Sequence, residues 1–317
     1  MAIYLSGSLA FDRIMTFPGK FSDHILPEKI HVLNVSFMIE TLVEQRGGTA
    51  GNIAYSLALL GEKPVILGSV GTDFAPYGEY LAEVGLSEEG IRRVPGQLTA
   101  GAYITTDQAN NQITGFNPGA MREPCGYGFQ HADPRNDLAV ISPGNVEDMA
   151  TMPARLRALG VRYVFDPGQQ LPVLSAEQLL GAITGAYMLV TNDYELALIV
   201  KSTGRTKAQL LELCPTIITT FSENGSRVET VNPVPATMIE IPAVPPAVVL
   251  DPTGAGDAYR AGLIKGLVSG LPVAEAARLG ATCASFCVEC TGTQRHTFDR
   301  DAFRKRHMET FGAFPLS

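Results

Sequence analysis

The stretch that decides the fold is DPTGAGDAYRAG, at residues 251–262. It follows an apolar, partly β-branched run at residues 247–250 and leads into a segment with apolar residues at helical spacing. This order predicts a strand, a loop and a helix in succession. Gly254 and Gly256, on either side of Ala255, let the backbone approach a ligand closely. Because free N–H groups at a helix start favour negative charge, we predict an anion site there.

Asp257 stands in the first turn of the predicted helix, beside the same amides. A carboxylate there would repel a bound phosphate unless it took part in the reaction. It can accept the proton of a hydroxyl nucleophile while the amides stabilise charge on a transferring phosphoryl group. The alternative is an ordinary helix start, with Thr253 as N-cap and Asp257 favoured only by the helix dipole. No Lys-Ser or Lys-Thr pair follows the last glycine, so the stretch is not a Walker A loop.

Composition indicates an ordinary globular protein. The 317 residues are 45% hydrophobic and 18% charged, and no repeat is visible. A formal net charge of −8 argues against a nucleic-acid partner, which would need a basic surface. The N-terminal stretch lacks a signal-peptide pattern and no run approaches transmembrane length, so we expect a cytoplasmic protein with no membrane partner.

DPTGAGDAYRAG resembles the C-terminal signature of the PfkB, or ribokinase-like, carbohydrate kinases. The stretches GGTAGN, GSVGTD, TNDYE and TTFSENG resemble further motifs of that family, so the resemblance covers essentially the whole chain. It implies an α/β fold, a ribokinase-like three-layer αβα sandwich with a mostly parallel sheet and a small β-sheet lid. Residues 1–317 would form one kinase domain, with the lid built from about residues 13–40 and 98–120 inserted in the α/β core.

The resemblance also assigns the catalytic residues. The Asp corresponding to Asp257 is the catalytic base of the family, and the amides of Gly254, Ala255 and Gly256 form its anion hole. Gly256 would also contact ATP. Arg260, which follows the signature aspartate, receives no role from this comparison.

Other stretches, NVSF, NQIT, FNPGAM and DPGQQLP, resemble bacterial and archaeal adenosine and nucleoside kinases more than sugar-only kinases. On that resemblance the nucleoside is surrounded by Ser8, Asp12, Ser36, Gly48, Asn52, Phe116 and Gln169. Asp12 would hold two sugar hydroxyls, since one carboxylate can accept both hydrogen bonds. From the residues alone, the favoured interpretations are a surface residue at a turn for Asp12 and a helix N-cap for Asn52.

Two stretches resemble the ATP and metal side of such kinases. In TNDYE, Asn192 and Glu195 match the N-x-x-E pair that positions hydrated Mg²⁺ and phosphate. The same spacing is a helix capping box, and both interpretations can hold together. Thr220 and Gly225 match the loop that borders ATP, although Ser222 replaces its usual first glycine and removes backbone freedom. K⁺ remains open as an activating ion.

The remaining pattern alternates strands and helices, which is typical of βα units in a parallel sheet. We expect a first strand from Ile3 to Leu9 running into a loop that carries Asp12, an exposed strand at residues 31–40, and a hairpin turning at residues 107–111. The exposed lid strands suggest a homodimer.

Three cysteines near the C-terminus have the C-x-x-x-C-x-x-C spacing of iron–sulfur radical enzymes. Cys283, Cys287 and Cys290 lie, however, in an Ala-rich run with helical character. Offsets of four and seven would put them on one apolar helix face. That position favours buried, inert thiols over cluster ligation.

The sequence therefore predicts an ATP-dependent kinase that phosphorylates the 5′-hydroxyl of a nucleoside, with Mg²⁺ near Glu195. The first alternative is a sugar kinase of the same family acting on ribose, fructose or a fructose phosphate. The second is a protein that binds nucleosides without turnover.

Overall fold

The computed structural model describes residues 1–32, 34–231 and 236–316. Within these residues the strands are β1 Ile3–Ser6, β2 Ala10–Thr16, β3 Thr41–Gly47, β4 Val65–Val70, β5 Ile91–Arg93, β6 Ala100–Thr106, β7 Gln112–Asn117, β8 Leu138–Ile141, β9 Arg162–Phe165, β10 Met188–Asn192, β11 Thr216–Thr220, β12 Ser226–Thr230 and β13 Thr237–Ile241. The α-helices are α1 Thr49–Leu59, α2 Ala75–Glu83, α3 Val146–Leu159, α4 Ala176–Ile183, α5 Asp193–Thr203, α6 Lys207–Leu213, α7 Ala255–Val268, α8 Val273–Cys287 and α9 Arg300–Phe311.

Among the described residues, nine strands form a large sheet in the order β13-β12-β11-β10-β9-β8-β1-β4-β5. Pairing is parallel from β5 to β11 and antiparallel from β11 to β13. Alternate side chains of β1 enter two cores: Ile3 and Leu5 pack with α1, α7 and α8, whereas Tyr4 packs with α3 and α4. Helices thus cover both faces, and the predicted three-layer sandwich is confirmed.

A smaller four-stranded sheet, in the order β3-β2-β6-β7, projects from the large one. Its β6–β7 hairpin turns where the sequence predicts, at residues 107–111. The buried Asp107 carboxylate accepts hydrogen bonds from the backbone N–H groups of Ala109 and Asn111, at 2.9 and 2.8 Å. It also accepts a hydrogen bond from the N–H of Phe21 at 2.9 Å, which connects the hairpin to the segment that follows β2.

Two strand predictions in the N-terminal part are wrong. Residues 34–39 are irregular, and the strand begins only at Thr41; Leu33 lies outside the described residues. The alternation there reflects a local cluster in which the Phe37 ring lies 4.7 Å from that of Phe17. The first strand ends at Ser6, and Asp12 is on β2 rather than in a loop, because the chain leaves the large sheet and enters the small one.

The strand predicted at residues 247–250 is also absent from the described chain, which is irregular there. Pro245 and Pro246 precede it and have no N–H for a ladder. Val249 and Leu250 are 65% and 60% exposed, and the N–H of Leu250 donates to the carbonyl of Val288 at 2.8 Å. The signature loop is therefore anchored to the end of α8 rather than by a strand.

The cysteine pattern is only partly helical. Helix α8 ends at Cys287, so Cys290 lies beyond it and the predicted offset of seven does not apply. Cys283 and Cys287 are buried free thiols, and burial raises the pKa of Cys287 to about 12. Over the described ranges, no group of three or more His, Cys, Asp or Glu residues could hold a metal ion. Those ranges also contain no helix long and apolar enough to cross a membrane.

Candidate active site

The signature loop ends in a helix start that exposes backbone amides. Gly254 is the N-cap of α7 with φ +82°, a conformation that favours glycine, and no side chain caps the helix. The alternative with Thr253 as N-cap is therefore wrong. The N–H of Ala255 donates to the carbonyl of Pro252 at 3.1 Å, so that amide is engaged within the loop. Helix geometry leaves the N–H groups of Gly256 and Asp257 without intrahelical acceptors.

Asp257 lies beside these amides with its side chain 13% exposed. Its Oδ2 accepts a hydrogen bond from Asn52 Nδ2 at 2.8 Å. Burial raises the pKa of Asp257, while Arg260 and the hydrogen bond from Asn52 act against the rise and Glu195 adds to it. A carboxylate with a raised pKa is a stronger proton acceptor, as general-base catalysis at neutral pH requires.

Asn52 belongs to the interior of α1 and does not cap it. The helix begins at Thr49, and Gly48, with φ +88°, is its N-cap, so the N-cap alternative for Asn52 is wrong. Since α1 and α7 pack together, the amide of Asn52 reaches Asp257 from the neighbouring helix. The structure thus brings together two residues that are distant in sequence.

A buried network fixes the orientation of the Asn52 amide. Gln294 Nε2 donates to Asn52 Oδ1 at 3.0 Å and to the Tyr77 hydroxyl at 2.6 Å. That hydroxyl donates to the carbonyl of Gly47 at 2.9 Å. The chain of contacts connects the end of β3, in the small sheet, with Asp257. Sequence reasoning missed Tyr77 and Gln294, because neither belongs to a motif that marks chemistry.

Asp12 lies next to Gly47 and Gly48, the two glycines at the end of β3 and the start of α1. A Cβ on Gly47 would come within 2.5 Å of Asp12 Oδ2, and one on Gly48 within 2.5 Å of the Ser8 carbonyl. Burial raises the pKa of Asp12. The Oγ of Ser8 accepts the N–H of Thr49 at 3.0 Å, which supports the start of α1.

Three other predicted substrate contacts are exposed to solvent rather than enclosed in this cluster. Ser36 and Gln169 are exposed, and Phe116 on β7 is 53% exposed. Phe116 lines a cavity of about 630 Å³ below the lid hairpin. The glutamine that lines this cavity is Gln170, whose Nε2 also donates to the carbonyl of Gly144 at 2.9 Å.

The predicted ATP and metal residues lie at the carboxyl edge of the large sheet. Asn192 and Thr220 are register partners at the ends of β10 and β11. Asn192 and Glu195 form a reciprocal capping box, with Glu195 Oε2 accepting the Asn192 N–H at 2.8 Å. Gly225 has φ +85°, and Ser222 adopts φ +51°, the left-handed conformation that the usual glycine would take without strain.

A buried ion pair that the sequence did not indicate adjoins Asp257. Asp166 follows β9, and its carboxylate faces the Nε and Nη2 atoms of Arg260, with Nη2 to Oδ1 at 2.8 Å. Arg260 Nη1 lies 4.0 Å from Asp257 Oδ1. Burial raises the pKa of Asp166, and the guanidinium opposes that rise. Asp166 and Asp257 therefore both approach one arginine, and the charge of Glu195 acts in the same direction as theirs on the pKa of Arg260.

These residues fit a hydrated divalent cation better than a directly coordinated one. One carboxylate oxygen of Glu195 already accepts the hydrogen bond of the helix cap, and the described chain contains no group of three metal-binding side chains. Mg²⁺ commonly keeps several waters and binds through one or two carboxylates together with substrate phosphates. Glu195 could hold such an ion through water.

A buried carboxylate at a helix start with free backbone amides is the arrangement that a kinase uses to phosphorylate a hydroxyl group. A family model described as pfkB family carbohydrate kinase matches residues 19–299. The chain belongs to this family.

Relatives share the fold along almost the whole chain. A nucleoside kinase of Methanocaldococcus jannaschii is 33% identical over 281 residues, which are 86% of this chain and 89% of that protein. The structure of Burkholderia thailandensis nucleoside kinase in complex with inosine is 36% identical with a TM-score of 0.86, covering 100% of both chains. The structure of that kinase in complex with ADP-inosine is 36% identical with a TM-score of 0.84, covering 100% of this chain and 98% of that one.

Proposed function

We propose that the protein transfers the γ-phosphoryl group of ATP to the 5′-hydroxyl of a nucleoside. The observation that carries this proposal is the carboxylate of Asp257, held by Asn52 beside the free amides at the start of α7. Similarity to nucleoside kinases over the whole chain supports the choice of acceptor.

In the proposed reaction, the Asp12 carboxylate accepts hydrogen bonds from sugar hydroxyls and so orients the nucleoside. Asp257 takes the proton of the 5′-hydroxyl group. At the same time the oxygen of that hydroxyl forms a bond to the γ-phosphorus, and the bond between this phosphorus and the departing ADP breaks. The N–H groups of Gly256 and Asp257 stabilise charge on the transferring group. The Ala255 amide could join them only by leaving the carbonyl of Pro252. Lid closure would exclude water from the site.

The cavity below the lid hairpin is the proposed position of the nucleobase. Its walls combine Phe116 and Met121 with the amide of Gln170, whereas the Asn145 side chain is already engaged in capping α3 and in bonds to the carbonyls of Met121 and Arg122. An aromatic ring together with an amide group suits a planar base that has hydrogen-bonding edges. Gln170 therefore replaces Gln169 as the proposed base-facing glutamine, whereas Ser36 would have to approach through lid movement.

The nucleotide is proposed to lie over the ends of β10 and β11, against Asn192, Thr220, Gly225 and Gly256. Mg²⁺, held through water by Glu195, would supply charge neutralisation of the phosphates. A titration of activity with monovalent salts tests whether K⁺ activates the protein.

We also propose that the lid strands pair two copies of the chain. The edge strands β3 and β7 expose Leu42 and Ile113 at 61% and 49%. Unpaired edges with apolar side chains invite association. Light scattering after size-exclusion chromatography should give twice the chain mass of 33.9 kDa, and a charged substitution such as Leu42→Glu should return the monomer.

The function is tested by ADP release with ATP and Mg²⁺ on adenosine, inosine, guanosine, cytidine, ribose, fructose and fructose 6-phosphate. Turnover of nucleosides, with a 5′-monophosphate as product, is the expected result. Turnover of sugars alone would contradict the nucleoside assignment and favour the sugar-kinase alternative. Nucleoside binding without turnover of any acceptor would favour the silent binding protein.

A further inference from the structure

Arg260 presents one guanidinium nitrogen to the signature loop. Its Nε and Nη2 atoms engage Asp166, whereas Nη1 has no hydrogen-bond acceptor among the described residues. A Cβ placed on Gly256 would come within 2.7 Å of this Nη1. The guanidinium therefore lies directly beside the backbone that carries the free amides.

The environment of Arg260 is acidic and largely closed to solvent. Its side chain is 13% exposed and that of Asp166 is 1% exposed. Taking such a pair out of water is costly, and a buried ion pair is weak evidence for added stability. An arginine cannot give up its proton, so a full positive charge persists beside the loop. The pair fixes this charge at the place where a phosphoryl group would bind.

We propose that Arg260 is the cationic side chain that contacts the transferring phosphoryl group and that Asp166 is the positioning residue that aims it. The inference rests on the proposed kinase function. Two nitrogens of the guanidinium hold the carboxylate and Nη1 donates to a phosphoryl oxygen, which stabilises the charge on that group during transfer. A guanidinium in this role can raise kcat by about 10³ to 10⁵.

The first test is the neutral variant Arg260→Met, compared with Arg260→Lys. We expect Met to lower kcat by at least about 100-fold, as removal of a stabilising donor does, and the nucleoside KM to change little. Lys should retain part of the activity because it retains the charge. Arg278→Met is the matched control, since Arg278 also pairs with an acid three residues away, Glu275, but on α8. It should leave kcat unchanged.

A second measurement separates this inference from the proposed function. Calorimetric titration with ATP and Mg²⁺, without any nucleoside, measures the affinity for ATP. This affinity reports the contact between Arg260 and phosphate whichever acceptor the protein uses. Arg260→Met should weaken ATP binding by roughly tenfold, equivalent to one lost charged contact. Failure of the parent protein to phosphorylate nucleosides would refute the proposed function, whereas this titration would still decide the role of Arg260.

A loss of folding is handled by removing both charges. Arg260→Met alone leaves Asp166 buried without its partner, which is destabilising, but Asp166→Leu with Arg260→Met removes that penalty. A double variant with restored thermal stability, low kcat and weak ATP binding supports the proposal. Parental kcat and ATP affinity in a folded single or double variant would overturn it.

Discussion

For Asp257 to act as a base, the amide of Asn52 must lie with its NH₂ group toward the carboxylate. Gln294 enforces this orientation because its own NH₂ group donates to the oxygen of that amide. With the amide reversed, an oxygen would face Asp257 and would favour the protonated acid. We therefore expect the amide of Gln294, through Asn52, to influence the proton affinity of Asp257.

Gln294→Glu has nearly the same shape but cannot donate from its carboxylate. Asn52 should rotate to donate to it, which raises the pKa of Asp257. Since the base acts only when deprotonated, activity is lost as pH falls through its pKa, and the acid limb of kcat/KM should move up by about one pH unit. The pH profile measures this.

Gln209→Glu is the control for that variant, because Gln209 accepts a hydrogen bond in the capping box of α6, where a glutamate serves equally well. Its pH profile should match that of the parent. An unshifted acid limb in Gln294→Glu would show that Gln294 does not orient Asn52.

At the scale of elements, the β11–β12 hairpin contains a conflict between residue type and backbone. Ser222 has φ +51°, a left-handed conformation that costs an L-residue about 1 kcal/mol. Ser222→Gly should therefore raise the free energy of unfolding by about 0.5 kcal/mol, because the greater freedom of glycine in the unfolded chain offsets part of the gain. Urea denaturation measures this free energy. A variant less stable than the parent would contradict the conclusion that Ser222 is strained.

Gly225 in the same hairpin should respond in the opposite direction. It has φ +85°, and a Cβ there would lie 2.1 Å from the carbonyl of Ile241. Gly225→Ala should lower the free energy of unfolding by more than about 2 kcal/mol, since strain and a backbone clash add. Gly204→Ala is the matched control, because Gly204 has φ +65° but an added Cβ would meet no atom within 4 Å. We expect this substitution to lower the free energy of unfolding by about 1 kcal/mol. Equal losses at both positions would contradict the clash.

The sequence predicted elements well wherever local patterns and tertiary packing agree. The βα units and the β6–β7 hairpin were predictable, because apolar periodicity and the turn signal around Asp107 match their final positions. Residues 31–40 were misread because an aromatic cluster, not a strand, accounts for their alternating pattern. Residues 247–250 were misread because two prolines precede their continuous apolar run. Asp257 and Asn52 could be found through motifs, but Tyr77, Asp166 and Gln294 are brought to the site only by long-range packing.

At the scale of the whole molecule, the proposed reaction requires the small sheet to close on a bound nucleoside. The chain contains no tryptophan, so Phe116→Trp on β7 would provide a single emission reporter in the lid. Its fluorescence should change more with inosine than with ribose, because the nucleobase of inosine would bury the indole ring in the adjoining cavity. Met238→Trp, at an exposed position on β13 of the large sheet, is the control and should not respond. Equal responses of both reporters would contradict lid closure.

The central claim is that Asp257 takes the proton from the nucleoside hydroxyl, and single-turnover phosphorylation by Asp257→Asn tests it most directly. Asp301→Asn, also in the first turn of a helix but on α9, is the control. We expect the 5′-monophosphate to form at least about 10³-fold more slowly with Asp257→Asn, while inosine binding measured by calorimetry persists and the control behaves like the parent. Phosphorylation by Asp257→Asn at the parental rate would contradict the account.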